Sequence, residues 1–225
     1  MKQYAYVLEF NQQKSVDPDL INQALDYAWR YTPSKNQFMN YSVHVIGPSQ
    51  NQLRELLYYK VLEQQMRANG ENFASIKKYD KYCEKNRIVP NFRNIKSAPY
   101  VLIYTQRVVT KHNPVHERLI KKGIVFEQTF DKGTKKYHSA NKTARVEAGM
   151  FSANFSTKIL DLGLDVSYVA CMPTELEYWQ EDEWSFINHS PLFIQLAGYG
   201  LRYKKDDVPP EKDRKPNFED VVNML

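Results

Sequence analysis

The chain has 225 residues, with 31 Lys and Arg against 26 Asp and Glu (net charge +5), 42% apolar and 13% aromatic residues, and 16 tyrosines. That length and balance predict one globular domain with a substantial core, exclude wholesale disorder, and give a positive excess too small to require nucleic acid. The longest apolar run, 98–104 with Pro99 inside it, falls far short of the roughly 18 to 20 residues of a membrane-spanning helix, and the first residues show no signal-peptide pattern, so the expected location is the cytoplasm.

In chain order, Asp17-Pro18-Asp19 predicts a helix start: an Asx cap, proline at the first helical position and an acid near the positive end of the dipole. Leu20, Ile21, Ala24, Leu25 and Ala28 form its apolar stripe, and Pro33 requires it to stop. A strand over 42–46 ends at Gly47-Pro48. Ser49 is the expected cap of a second helix, whose buried face uses Leu53, Leu56, Leu57 and Val61. Residues 71–97 lack a clear period and read as loop with one or two helical turns. The run 98–105 has the pattern of a strand buried on both faces, hence central in a sheet. Asn113-Pro114 opens a short helix closed by Gly123, and Asp131-Lys132-Gly133 marks a hairpin turn. The longest helix is expected over 141–162, with Ala148, Phe151, Phe155, Ile159 and Leu162 on its buried face and Gly163 as its stop. Strands at 166–171 and 191–197 flank a short helix at 175–181. From 202 to 216 ten charged residues and three prolines predict an extended arm. Helices alternating with strands give an α/β or α+β class in one domain.

Several chemistries are excluded by motif. The only GxG is Gly198-Tyr199-Gly200, with Tyr203 where a dinucleotide fingerprint needs glycine, and there is no P-loop, GxSxG elbow or HExxH. Cys83 and Cys171 are too far apart for CxxC chemistry, and Cys171 is expected as a small core residue on its strand. His112 and His116 have metal-like spacing, but Pro114 leaves His112 outside the helix. Lys77, Lys78, Lys81, Lys85 and Arg87 interleave with Tyr79 and Tyr82; Asp80 and Glu84 interrupt the run, which favours a solvated segment over a nucleic-acid patch. Trp179 and Trp184 sit among acids, as aromatic anchors of a surface helix.

The loop Thr32-Pro33-Ser34-Lys35-Asn36-Gln37 gathers a hydroxyl, an ammonium and two amides in four consecutive residues, a set that can bond a planar heterocycle and a phosphate, or simply form a polar turn. Together with Arg30-Tyr31 before it and the strand after it, this loop resembles the flavin loop of the nitroreductase family. The resemblance continues in Ser97-Ala98-Pro99-Tyr100, similar to that family's central strand, in Val146-Glu147-Ala148-Gly149-Met150 through Leu162-Gly163-Leu164, similar to its core helix, and in Leu196-Ala197-Gly198-Tyr199-Gly200. It spans roughly residues 16–225.

The resemblance implies an α+β fold, a central mostly antiparallel sheet surrounded by helices with 202–225 as a C-terminal arm. It also implies an FMN-dependent oxidoreductase that takes hydride from NADH or NADPH and reduces a nitroaromatic, quinone or similar acceptor, working as a homodimer. No acid or base side chain is required, because the cofactor carries the chemistry. Its flavin contacts fall here on Pro33, Ser34, Lys35, Asn36 and Gln37, with Cys171 and Met172 offering backbone N–H groups to the flavin ring. The family's opening Arg-Arg-Ser-like phosphate grip has no counterpart, since residues 1–15 contain no arginine. Arg30, Lys35, Arg214 and Lys215 are the expected replacements. The competing expectations are a cofactor-free binding protein on the same fold and a basic nucleic-acid-binding protein.

Overall fold

The computed structural model describes residues 7–34, 39–86, 92–107, 114–123, 135–173 and 175–203. Helix α1 (Pro18–Tyr31) begins as expected: the Asp17 side chain accepts from the Asp19 N–H at 3.0 Å. At its far end Thr32 turns extended ahead of Pro33, and its N–H and hydroxyl both donate to the Ala28 carbonyl. Ile21, Ala24 and Ala28 are buried against the long helix α6 (Lys135–Asp161), which begins earlier than its stripe predicted and packs Ala148, Phe151, Phe155 and Ile159 into the same core. Gly163, at φ 80°, ends that helix: the Leu164 N–H reaches back to the Ile159 carbonyl at 3.1 Å.

A four-stranded antiparallel sheet runs in the order β2-β3-β5-β4, from β2 (Tyr41–Ile46), β3 (Tyr100–Gln106), β4 (Asp165–Val169) and β5 (Pro191–Gly198). Every residue of β3 is buried, as its unbroken apolar run requires of a central strand. One face packs on α1 and α6; the other packs on α2 (Asn51–Ala68), α3 (Ile76–Lys85) and the Trp179–Trp184 pair. Between sheet and α6 lies a closed polar network. Tyr104 donates to Gln195 Oε1 at 2.6 Å, and Gln195 Nε2 donates to Ser156 Oγ, Tyr168 Oη and the Ser152 carbonyl.

Four expectations need correction. Gln50, not Ser49, precedes α2, its amide oxygen accepting from the Gly47 N–H at 2.8 Å; the fully buried side chains are then Leu57, Tyr58, Val61 and Leu62, with Leu53 and Leu56 only partly covered. The stretch 71–97 contains the ten-residue helix α3, capped by Ser75, and the short α4 (Asn94–Ser97). Tyr79 and Cys83, four apart, bury its inner face, so the lysine–tyrosine run has its Tyr79 ring in the core and not in solution. Residues 200–203 form β6 (Gly200–Tyr203), paired with β1 (Val7–Phe10), so the arm does not begin at 202. Finally, Cys171 lies beyond the end of β4 and is exposed. The helix α5 (Pro114–Lys121) ends at Gly123, as expected, while the hairpin turn at 131–133 and the chain from 204 onward lie outside the described residues. Trp179 and Trp184 anchor two short 3-10 turns, their rings 5.2 Å apart edge to face. Among the described residues no helix is long and apolar enough to cross a membrane.

Candidate functional site

Antiparallel pairing brings two loops to one end of the sheet. Tyr41 faces Gln106, Thr105 faces Pro191 and Val169 faces Ile194, so the start of β2, the end of β3, the start of β5 and the end of β4 share that end. The segment 32–40 enters β2 there, and 170–173 leaves β4 there. Three strand spacings, about 14 Å, separate the two.

The first loop is closed by one carboxylate. Glu147, on α6 and only 2% exposed, accepts from the Ser34 hydroxyl at 3.0 Å through Oε1 and from the Asn40 N–H at 3.1 Å through Oε2. Ser34 Oγ in turn accepts from the Met39 N–H at 2.8 Å. Both ends of the loop are thus tied to the helix by charge-assisted bonds across a buried interface. The negative charge acts further. Burial first, and Glu147 second, push the Tyr41 phenol well above its ordinary value, so Tyr41 stays neutral.

Around this anchor, Asn40 Oδ1, Tyr41 Oη and Gln106 Oε1 are buried and have no hydrogen-bond partner among the described residues. Arg107 donates its backbone N–H to the Asn40 carbonyl at 2.9 Å, and its exposed guanidinium reaches the Met39 carbonyl at 3.5 Å. On the far strand Met172 is buried, its N–H on the Ala170 carbonyl at 3.1 Å, and Pro173 accepts the Trp179 indole N–H. On β2, His44 bonds Thr105 Oγ1 at 3.0 Å; burial and the nearby His189 lower its pKa.

Of the residues expected at a flavin site, Ser34 and Pro33 on one loop and Cys171 and Met172 on the other come to this end of the sheet. Arg30 is exposed on α1 and paired with Asp26 at 2.8 Å. Lys35, Asn36, Gln37, Arg214 and Lys215 lie outside the described residues, as does His112; no cluster able to hold a metal occurs among the described residues. Sequence reasoning gave no role to Glu147, Tyr41 or Arg107. One signal was present: Glu147 stands four residues before Phe151, a carboxylate on the buried stripe of α6, and such a group needs donors.

Comparison with solved structures gives matches over almost the whole chain. A proposed NAD(P)H:FMN oxidoreductase from Staphylococcus epidermidis is 14% identical over 99% of this chain and 92% of that one, with a TM-score of 0.63. A proposed nitroreductase from Exiguobacterium sibiricum, in complex with FMN, is 10% identical over 99% of this chain and 93% of its own, at 0.61. The NADPH:FMN oxidoreductase of Vibrio harveyi complexed with NAD+ is 12% identical over 98% and 73%, at 0.59. The chain has the nitroreductase fold. No protein-family model and no curated protein sequence matches it. In this nitroreductase fold the α6 stripe is spent inside the chain, since Phe151, Phe155 and Ile159 are all buried. Among the described side chains of the paired helices, the large exposed apolar ones are Trp29 (56%), Tyr31 (64%) and Val146 (61%).

Proposed function

We propose that the protein is an FMN-dependent oxidoreductase that draws hydride from NADH or NADPH and passes it to a small acceptor such as a quinone or nitroaromatic. The observation that carries this reading is the Ser34–Glu147–Asn40 closure, which anchors the loop resembling the family's flavin loop at the sheet end where 170–173 also emerges. FMN, when bound, supplies two-electron acceptance from a nicotinamide and donation to the second substrate.

The residues fit such a group. Three buried polar atoms without partners among the described residues, on Asn40, Tyr41 and Gln106, lie at this end of the sheet and favour a polar occupant over an apolar one. Lys35, Asn36 and Gln37 supply the donors for a heterocycle edge, with Pro33 shaping the turn. Of the two backbone donors expected at 171 and 172, the Met172 N–H is taken by Ala170, which leaves that of Cys171 to face the ring. No general acid or base is asked of the chain: His44, the titratable ring on β2, is neutral and bonded to Thr105.

The phosphate grip falls to Arg30, Lys35, Arg214 and Lys215, with Arg107 as an addition; the exposed Arg30–Asp26 pair is weak enough to yield to a phosphate. A homodimer, formed through the exposed face of α1 and the middle of α6 around Trp29, Tyr31 and Val146, completes the reading. Fluorescence titration of FMN tests it: binding to the purified chain is expected, weakened about tenfold in an Arg214→Ala/Lys215→Ala variant, the loss of one or two charge-assisted contacts. Absence of FMN binding by the parent chain refutes the reading.

A further inference from the structure

At the opposite end of the sheet, about 20 Å along β2 from the flavin loop, lies a separate cavity of about 630 Å³. Its walls are the segment 11–16, Pro48, the first turn of α2 and Pro99 ahead of β3. That volume falls within the range of small-molecule sites.

Arg54 lines this cavity and is 7% exposed. Its Nη1 donates to the Gly47 and Pro99 carbonyls at 3.2 and 3.0 Å, and Nη2 to the Pro48 carbonyl at 3.3 Å and to Asn51 Oδ1. All four acceptors are neutral, and Nε has none. Among the described residues no carboxylate forms an ion pair with it. A buried guanidinium held only by neutral groups is short of counter-charge, and a bound anion is what supplies it. Desolvation accordingly lowers its pKa.

The surroundings point the same way. Helix α2 has no acid in its first turn, and Gln50 gives it no side-chain cap, so the positive end of an 18-residue helix abuts the cavity uncompensated. Lys14 and Lys96 also line it, against a single acid, Glu55. Their charges are partly engaged, Lys14 lying 3.5 Å over the Tyr199 ring and Lys96 lying 4.0 Å over Tyr58 and 3.6 Å from Asp80, whereas Arg54, its Nη groups bonded to neutral acceptors, meets no carboxylate among the described residues.

We propose that this cavity binds a phosphate-bearing small molecule, its phosphate at the Arg54 and α2 end and its polar body along the Asn11–Ser15 wall. With Lys96 paired to Asp80, a phosphate dianion supplies the counter-charge of Arg54, Lys14 and the helix end against the one lining carboxylate, Glu55, and the amides and hydroxyls of Gln12, Gln13 and Ser15 suit a hydrogen-bonding body. This site is independent of the flavin reading.

The test uses the full chain, with thermal unfolding and equilibrium dialysis at constant ionic strength. Inorganic phosphate should raise the unfolding midpoint relative to chloride, AMP should raise it further, and adenosine should leave it unchanged. Asn51→Asp sets a carboxylate beside Arg54: the ligand-free midpoint should rise while phosphate affinity falls about tenfold, as loss of a charge-assisted contact implies. Glu55→Gln should tighten binding, and Ser34→Ala, at the other end of the sheet, should leave it unaltered. Identical unfolding of the parent in phosphate and chloride, or an Asn51→Asp variant that responds to phosphate as the parent does, overturns the proposal. Binding of inorganic phosphate with exclusion of AMP overturns the assignment to a phosphorylated molecule.

Discussion

The Ser34 hydroxyl donates to the Glu147 carboxylate at 3.0 Å across 113 residues of sequence, joining the loop ahead of β2 to the middle of α6. Because the same carboxylate also receives the Asn40 N–H, one side chain ties Ser34 and Asn40 to the same point of α6.

Replacing Glu147 by Gln keeps the volume but turns one acceptor into a donor that faces either the Ser34 hydroxyl or the Asn40 N–H. The variant should lose about 1–3 kcal/mol of stability in urea unfolding, the cost of a buried donor left without its acceptor. FMN affinity should fall with it, and Ser34→Ala, which unpairs both Glu147 Oε1 and the Met39 N–H, should lower stability and FMN affinity as well. Equal behaviour of Glu147→Gln and the parent in FMN titration would separate the closure from cofactor binding.

The core network makes a second prediction. Tyr104→Phe strips Gln195 Oε1 of its donor inside a fully enclosed site. A loss of about 1–3 kcal/mol is expected in chemical denaturation. A Tyr104→Phe/Gln195→Met double variant should lose more, since it also takes the Gln195 Nε2 donor from Ser156 Oγ, Tyr168 Oη and the Ser152 carbonyl.

Two glycines should respond in opposite directions. A Cβ on Gly198 would stand 2.5 Å from Pro99 Cδ and 2.6 Å from Cγ, a rigid ring at the start of β3, so Gly198→Ala should destabilise by about 1–3 kcal/mol. Gly149, within α6, has nothing within 4 Å of such an atom, and alanine there should add up to about 1 kcal/mol through helix propensity. A destabilised Gly149→Ala would mean that a second chain covers that helix face.

Stability should fall on both sides of neutral pH. His44 has its folded pKa lowered, so the unfolded chain binds more protons in acid; the stabilisation is complete above the ordinary histidine range and drains away as pH falls through it. Tyr41, Tyr58 and Tyr104 have raised values, so their contribution is complete below the ordinary tyrosine range and is lost as pH rises past about 10. Melting temperatures across pH, with His44→Gln flattening the acid limb and tyrosinate absorbance tracking unfolding on the alkaline limb, check both signs.

Much of the fold was legible because local chemistry and tertiary demand agree. Asp17-Pro18, the 98–105 run and Gly163 each encode a local preference that the packed structure also uses. Other features are set by distant partners. The β1–β6 ribbon joins residues nearly 200 positions apart with irregular register, and neither strand has a pattern of its own. Helix α3 rests on two buried side chains, Tyr79 and Cys83, among lysines, too few for a visible period. The site divides likewise. The polar loop at 33–37 stood out by composition, whereas Glu147 and Arg107 owe their place there to contacts with Ser34, Asn40 and Met39 that no local spacing encodes.

The central claim is most directly tested by the absorption spectrum of the purified chain before and after anaerobic addition of NADH or NADPH. A yellow protein is expected that releases FMN on denaturation, whose flavin band bleaches with the nicotinamide and returns when a quinone is added. A colourless protein that takes up no added FMN, or a bound flavin that neither nicotinamide reduces, would contradict it.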